Sequence, residues 1–588
     1  MHILLVGINA KFIHSCLAVH TLSQYAAEQY RLDVKTAEYT INQLPDQVLG
    51  SIYRRKPDLL GFSVYIWNAS YIYELIGNLK KILPETKILL GGPEVTFDPA
   101  EALQKGADFV LSGEGEESFS RLCLALQNGT PLEEVPSLTW RDGGTVRTNP
   151  TAAPLDLAKL PFVYDDLTPF ADRIIYYEAQ RGCPFNCQYC LSSTDKGVRF
   201  QPLDKVKKEL QFFLDHKVRQ VKFVDRTFNA NPRFAMAIWQ YLAAHDNGVT
   251  NFHFEMEAAL ITDEMIPFLQ TVRPGLMQFE IGVQSTNPDT LAAVDRRESF
   301  SRIAGRVRQL QQNRNIHLHL DLIAGLPYEG YESFAQSFDD VYALSPDQFQ
   351  LGFLKLLKGS GLRRDRDKYG IVCREKPPYE VLYTDALSYD ELLRLHAIED
   401  LTDSYYNSRR FTASLAYLTG LVEPFAFYEG FAAFYEENGL TGHPPSKTGQ
   451  YDALYRYGSS LDGADPVRLL WLLKLDFFLR ERPGKLPECL RALPDLTGQA
   501  KERIYAFYSD PENRERLLPE YGDLPDYKLL ARMAATELFP FDPLPYLAPS
   551  GAAAVTEIET SLLFNYRRTD IFGNAAVQAV TLPAFSRG

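Results

Sequence analysis

The sequence predicts a three-part chain: two successive α/β domains followed by a mainly helical one. Three observations carry this reading. Residues 1 to about 130 alternate short apolar strands with helical segments. Residues from about 170 to 360 repeat a strand–helix unit six times. Beyond about 360 helical, aromatic-rich segments take over. A length of 588 residues exceeds one ordinary hydrophobic core and fits three domains. The boundaries read as 1–135, a linker at 136–168, 169–360 and 361–588.

In the first domain, strands are expected at 3–6, 34–39, 59–64, 87–90 and 109–112, with helical patterns at 17–30, 71–83 and 116–127. Five strands with helical crossovers imply a doubly wound, Rossmann-like parallel sheet, and such sheets bind ligands beyond the carboxyl ends of their strands. The candidate residues lie there. Asn9 and His14 follow the first strand, and Ser63, Tyr65 and Trp67 follow the third. Gly91, Gly92 and Glu94 follow the fourth, and Gly113 and Glu114 the fifth. The glycines let backbone approach a ligand closely, and each also reads as a tight strand-to-helix turn. His14 reads as a hydrogen-bonded loop residue, and the two aromatics as packing side chains or covers for a flat ligand. The linker is rich in Pro, Asp and Gly, with a hairpin expected around Asp142-Gly143-Gly144.

The second α/β part opens on the most specific motif of the chain, Cys183-Pro184-Phe185-Asn186-Cys187-Gln188-Tyr189-Cys190. Three thiolates on one short loop hold three corners of a four-iron cubane and leave the fourth iron free to bind a small molecule. The competing reading is zinc, which wants four ligands, usually as paired C-x2-C halves. No second pair and no histidine lie close to this loop. Barrel strands are expected at 174–180, 220–224, 251–257, 276–282, 317–324 and 348–354, a partial (β/α)6 barrel with its chemistry at the strands' carboxyl ends. Polar residues stand at those ends: Asp225, Glu257, and Gln284 with Ser285.

This combination resembles the cobalamin-dependent branch of the radical S-adenosylmethionine (SAM) superfamily. The resemblance implies a cobalamin-binding first domain, a radical SAM barrel and an uncharacterised C-terminal domain. Its cofactors would be a 4Fe–4S cluster on Cys183, Cys187 and Cys190, SAM, and cobalamin. It implies SAM or substrate contacts at Asp225, Glu257, Gln284 and Ser285, and Tyr189 near adenine. Corrinoid contacts fall on the turn residues named above. The Asp-x-His-x-x-Gly loop that supplies a cobalt ligand in cobalamin mutases is absent after the first strand, so a corrinoid bound without a histidine ligand is expected. The implied activity is methyl transfer to an unactivated carbon by way of a 5'-deoxyadenosyl radical and methylcobalamin. Two alternatives stand beside it: a non-methylating radical reaction (rearrangement, cyclisation or methylthio-type addition), and a sensor that uses the cofactors as ligands. An electron donor such as flavodoxin or ferredoxin is implied, and the substrate is left open.

Charge and composition narrow the partners. A net charge of −14 argues against a general nucleic-acid or membrane-surface binder. No apolar run approaches a membrane span of about 18 residues, and no signal peptide is evident. Of the seven cysteines, Cys16, Cys123, Cys373 and Cys489 are isolated and read as small buried hydrophobes in a reducing, cytoplasmic setting.

Overall fold

The computed structural model describes residues 1–195, 197–481, 484–524, 526–548 and 556–584. It divides into two compact units, Met1–Tyr331 with Gly352–Tyr389, and Glu332–Leu351 with Asp390–Gly588.

The first unit opens on a seven-stranded sheet of β1 (Ile3–Asn9), β2 (Val34–Thr40), β3 (Leu59–Ser63), β4 (Lys87–Gly91), β5 (Phe109–Leu111), β6 (Leu138–Asp142) and β7 (Thr145–Thr148), in the order β2-β1-β3-β4-β5-β6-β7. The pairs from β2 to β5 are parallel. Every residue of β1 is buried, as a strand covered on both faces demands. One apolar layer holds Val6, Phe62, Ile88 and Leu90, and the other Ile3, Leu5, Leu59 and Leu89. The helix Ala69–Ile82 buries Ile72, Leu75, Ile76 and Leu79 on one stripe, each side chain contributing about 1.5–3 kcal/mol. The hairpin expected at Asp142-Gly143-Gly144 forms, and its strands extend the sheet antiparallel from β5.

Gly92 shows why one turn requires glycine. Its φ is 111°, and a Cβ there would stand 2.6 Å from the Val64 carbonyl oxygen. Gly92→Ala is expected to cost about 2–3 kcal/mol through this left-handed backbone and the clash. Hydrogen exchange should show it as faster exchange of the β3 and β4 amides.

In the barrel, β8 (Ile175–Tyr177), β11 (Gln220–Phe223), β12 (Asn251–Met256), β13 (Met277–Gln284) and β14 (His317–Ala324) run parallel, side by side in that order. The single first strand expected at 174–180 is instead two pieces: β8 stays in the barrel, while β9 (Gln180–Cys183) leaves it to pair antiparallel with β10 (Gly197–Phe200). β13 alternates strictly: Met277, Phe279, Ile281 and Val283 are buried, while Gln278, Glu280, Gly282 and Gln284 are only partly so. The apolar set packs on the helical side and the polar set lines the interior. The sixth expected strand is present as β15 (Gln348–Phe353), at which the chain passes from one compact unit to the other. Residues Gly352–Tyr389 belong with the first unit and include the strand pair β16 (Val372–Cys373) and β17 (Val381–Tyr383).

The second unit is mainly helical. Its longest helix, Pro466–Arg480, buries ten of its residues. Phe338, on the helix Tyr331–Tyr342, has ring neighbours in Phe349, Phe425 and Tyr428 at centroid distances of 4.9, 5.6 and 5.8 Å. An antiparallel sheet of β18 (Ala535–Phe539), β19 (Thr560–Thr569) and β20 (Ala575–Val580) completes it, so the stretch around Asn565-Tyr566 is strand within a region expected to be helical. Among the described residues no helix is long and apolar enough to cross a membrane.

Candidate active site

The cysteine loop hangs from the β9–β10 hairpin. Gly182 sits where a Cβ would collide with the Gly197 carbonyl, so only glycine lets the two strands close at this point. The loop is tied down by backbone bonds from Cys190 to the Cys187 carbonyl (3.0 Å), from Gln188 to that of Val294 (2.9 Å), and from Leu362 to that of Gln188 (2.9 Å). All three cysteines are free thiols; Cys187 is buried and the other two partly so. Cys183 Sγ lies 3.4 Å from Thr227 Oγ1.

The spacing of the thiols tests the donor set. Among the described residues, the one group of three His, Cys, Asp or Glu ligand atoms that closes to within 4.8 Å is Glu280, His319 and Asp321. Two sulfurs on one zinc, each at about 2.3 Å, cannot stand further apart than about 4.6 Å. The three thiols do not all close to that spacing, so they are not set as ligands of one ion, and a donor set of three thiols is one that a cubane takes.

Arg296 joins the cluster loop to the barrel rim. Its Nη2 donates to Glu257 Oε2 at 2.8 Å and to the Gly282 carbonyl; its Nη1 lies 3.4 Å from the Tyr189 hydroxyl and 4.0 Å from Cys187 Sγ. Burial pushes the Glu257 carboxyl up, and the guanidinium draws it back. The same two influences act on the Cys187 thiol, with burial the larger. Cys187, Tyr189 and Glu257 are thus brought together by a residue that sequence reasoning missed. Its one advance signal was that a carboxylate at an apolar strand end needs a cation.

The rim also presents acceptors with no protein donor. Asp225 Oδ2 accepts from the Ala179 amide at 3.1 Å, but its buried Oδ1 has no partner. Burial holds this carboxyl well above the usual carboxylate range. Gln180 Oε1 and Gln284 Oε1 are likewise buried and unpartnered. Gln284 has φ 73° at a break in the β13–β14 register, and its amide lies over Gly282 where a Cβ would stand. Such acceptors suit amino and hydroxyl donors, which SAM carries. Ser285 turns elsewhere: its hydroxyl donates to Glu329 at 2.7 Å and accepts from the Asn287 amide. Below the rim, Glu280 accepts from His253 (2.9 Å) and Lys222 (3.2 Å), which hold its carboxyl well below the usual range.

Facing this barrel, the turns of the first domain divide into two sets. Tyr65 and Trp67 stack at 4.3 Å, 7° from parallel, and Trp67 is 47% exposed. Asn68, buried and missed in the sequence, shapes their loop by accepting from the Tyr65 amide and donating to the carbonyls of Ile8 and Ser63. Gly113 has φ 79° with open space around it. Ser63 and Gly91 pair across the carboxyl ends of β3 and β4. These residues lie at or just beyond the carboxyl ends of β3, β4 and β5. The second set serves the protein itself. Asn9 donates to the His14 carbonyl and to Glu38, both at 3.0 Å. His14 Nδ1 meets the Tyr176 hydroxyl at 2.7 Å, and burial lowers its pKa. Glu114 pairs with Arg199 and Arg181 and accepts from the Leu155 amide. Glu94 is occupied by Tyr379 and Lys358.

The Radical SAM superfamily model matches residues 177–341, and that of the B12 binding domain matches residues 3–123. The chain thus carries a radical SAM domain behind a B12-binding domain. A model described as a protein of unknown function (DUF4080) matches residues 367–560. The cobalamin-dependent radical SAM methyltransferase TokK of Streptomyces tokunonensis is 26% identical over 362 residues, 56% of this chain and 51% of TokK. The anaerobic magnesium-protoporphyrin IX monomethyl ester cyclase of Synechocystis is 25% identical over 283 residues, 46% of this chain and 56% of the cyclase. The chain spans about half the length of the curated relatives it matches. The structure of OxsB, a cobalamin-dependent SAM radical enzyme, shares the fold, with a TM-score of 0.59 at 15% identity over 81% of this chain and 79% of OxsB.

Proposed function

We propose that this chain is a cobalamin-dependent radical SAM methyltransferase acting on an unactivated carbon. The observation that carries the reading is the union of three thiols not set as ligands of one ion with unpartnered rim acceptors, in a chain whose first domain matches the B12-binding family. When bound, the cofactors supply the methyl group and the one-electron cleavage of SAM. The protein's own part is placement. Cys183, Cys187 and Cys190 hold the cluster, Asp225 and Gln284 receive donors of SAM, and Arg296 fixes Glu257 and Tyr189 beside the cluster loop. Tyr65 and Trp67 cover a corrin face. The C-terminal unit supplies substrate specificity, and a flavodoxin or ferredoxin supplies electrons in the cytoplasm. Anaerobic turnover with deuterated-methyl SAM tests the reading: a product heavier by one labelled methyl group is expected.

The cyclase relative favours one second reading, a non-methylating radical reaction, in which no label enters the product. Either way the corrinoid is expected to bind without a protein nitrogen on cobalt, because His14 is turned to Tyr176. Electron paramagnetic resonance of the cob(II)alamin form should show no axial nitrogen splitting. Splitting that vanishes in His14→Ala would count against it.

A further inference from the structure

The hairpin formed by residues 354–381 touches both cofactor loops. At its base, Leu354 donates to the Ala324 carbonyl and Val381 to that of Leu354, both at 2.9 Å, and Val381 fills the space over Gly325. Further out, Leu356 donates to the Tyr379 carbonyl at 3.0 Å, and Lys355 bridges Glu380 antiparallel. One contact goes to the cluster loop: Leu362 bonds to Gln188, whose side chain occupies the place of a Cβ at Gly361. The other goes to the first domain, past the Gly91-Gly92 turn. The Phe97 ring occupies the place of a Cβ at Gly359. The Lys358 ammonium lies between Glu94, at 3.2 Å, and Glu101, and Tyr379 donates its hydroxyl to Glu94.

This second contact is charged and buried. The Lys358 side chain is 9% exposed and that of Glu94 2%. Losing Lys358 leaves the Glu94 carboxylate without its cation away from water, whereas losing Glu94 leaves Lys358 held by Glu101 alone. Tyr379 adds a φ of 57°, a conformation a tyrosine keeps only where its surroundings over-determine it. Arg363 lies 4.7 Å from its ring centre.

We propose that this hairpin is a strap through which the loop after β4 and the cysteine loop fix each other's position, with Lys358 as the positioning residue, so that cluster loading and corrinoid binding are coupled. The inference rests on the cofactor reading above. Coupling of this kind is reciprocal: whatever the cluster adds to corrinoid affinity, the corrinoid adds to cluster retention.

The test is a titration of the full chain with hydroxocobalamin, in its cluster-loaded and iron-depleted forms. The wild type is expected to bind about fivefold or more tightly when loaded. In Lys358→Met the two affinities should be equal, Tyr379→Phe should shrink their ratio, and Lys358→Arg should restore it. Iron content of the loaded variants confirms that they are folded. A packing role alone would weaken both affinities together and keep the wild-type ratio, which would overturn the strap. Equal affinities in the wild type would also overturn it while leaving the cofactor reading intact; no hydroxocobalamin binding in either form would overturn both.

Discussion

Replacing Cys183, Cys187 and Cys190 together with alanine is expected to strip the reconstituted protein of its iron and sulfide and to abolish SAM cleavage. The three side chains are the thiols of one hairpin loop, and they are not set as ligands of one ion. Each would hold one iron of a cubane, so the triple variant would have no anchor left for a cluster. Cys373 and Cys489 share no cysteine motif, and burial pushes both thiols up, against the thiolate form that metal ligation needs. Their alanine variants should keep full iron content. Iron and sulfide analysis with the cluster absorbance checks both statements, and a triple variant with full iron would refute the assignment.

Arg296→Met is expected to be the most damaging substitution on the barrel rim. The guanidinium pairs with Glu257 at 2.8 Å, and both side chains are nearly excluded from solvent. Removing the cation strands a carboxylate that burial already pushes toward its neutral form, at a cost of about 3–5 kcal/mol. It also frees the Gly282 carbonyl and the Tyr189 hydroxyl from their shared donor. SAM cleavage should fall below detection even where the cluster is retained. The paired variant Glu257→Gln with Arg296→Met should recover much of the stability, because no uncompensated charge remains, but none of the cleavage. Denaturant midpoints and 5'-deoxyadenosine formation separate the two effects. A paired variant as unstable as the single one would show that packing rather than charge holds the rim.

The sequence by itself determined the α/β architecture of the first two parts and singled out the candidate cluster ligands, because both are local. Strand and helix periods are written within a few residues, and Cys183, Cys187 and Cys190 share one loop. It also marked the strand ends where ligands gather. Only the tertiary structure decided which of those end residues are already taken by protein partners. Glu94, Glu114 and Ser285 spend their side chains on Tyr379 and Lys358, on Arg199 and Arg181, and on Glu329. Arg296, 39 residues beyond Glu257, emerged as the centre of the rim. Tyr379, 285 residues beyond Glu94, showed the strap. A buried charge must be neutralised, but nothing in local periodicity says by which distant residue; that is set when the strands fix which side chains share an interior.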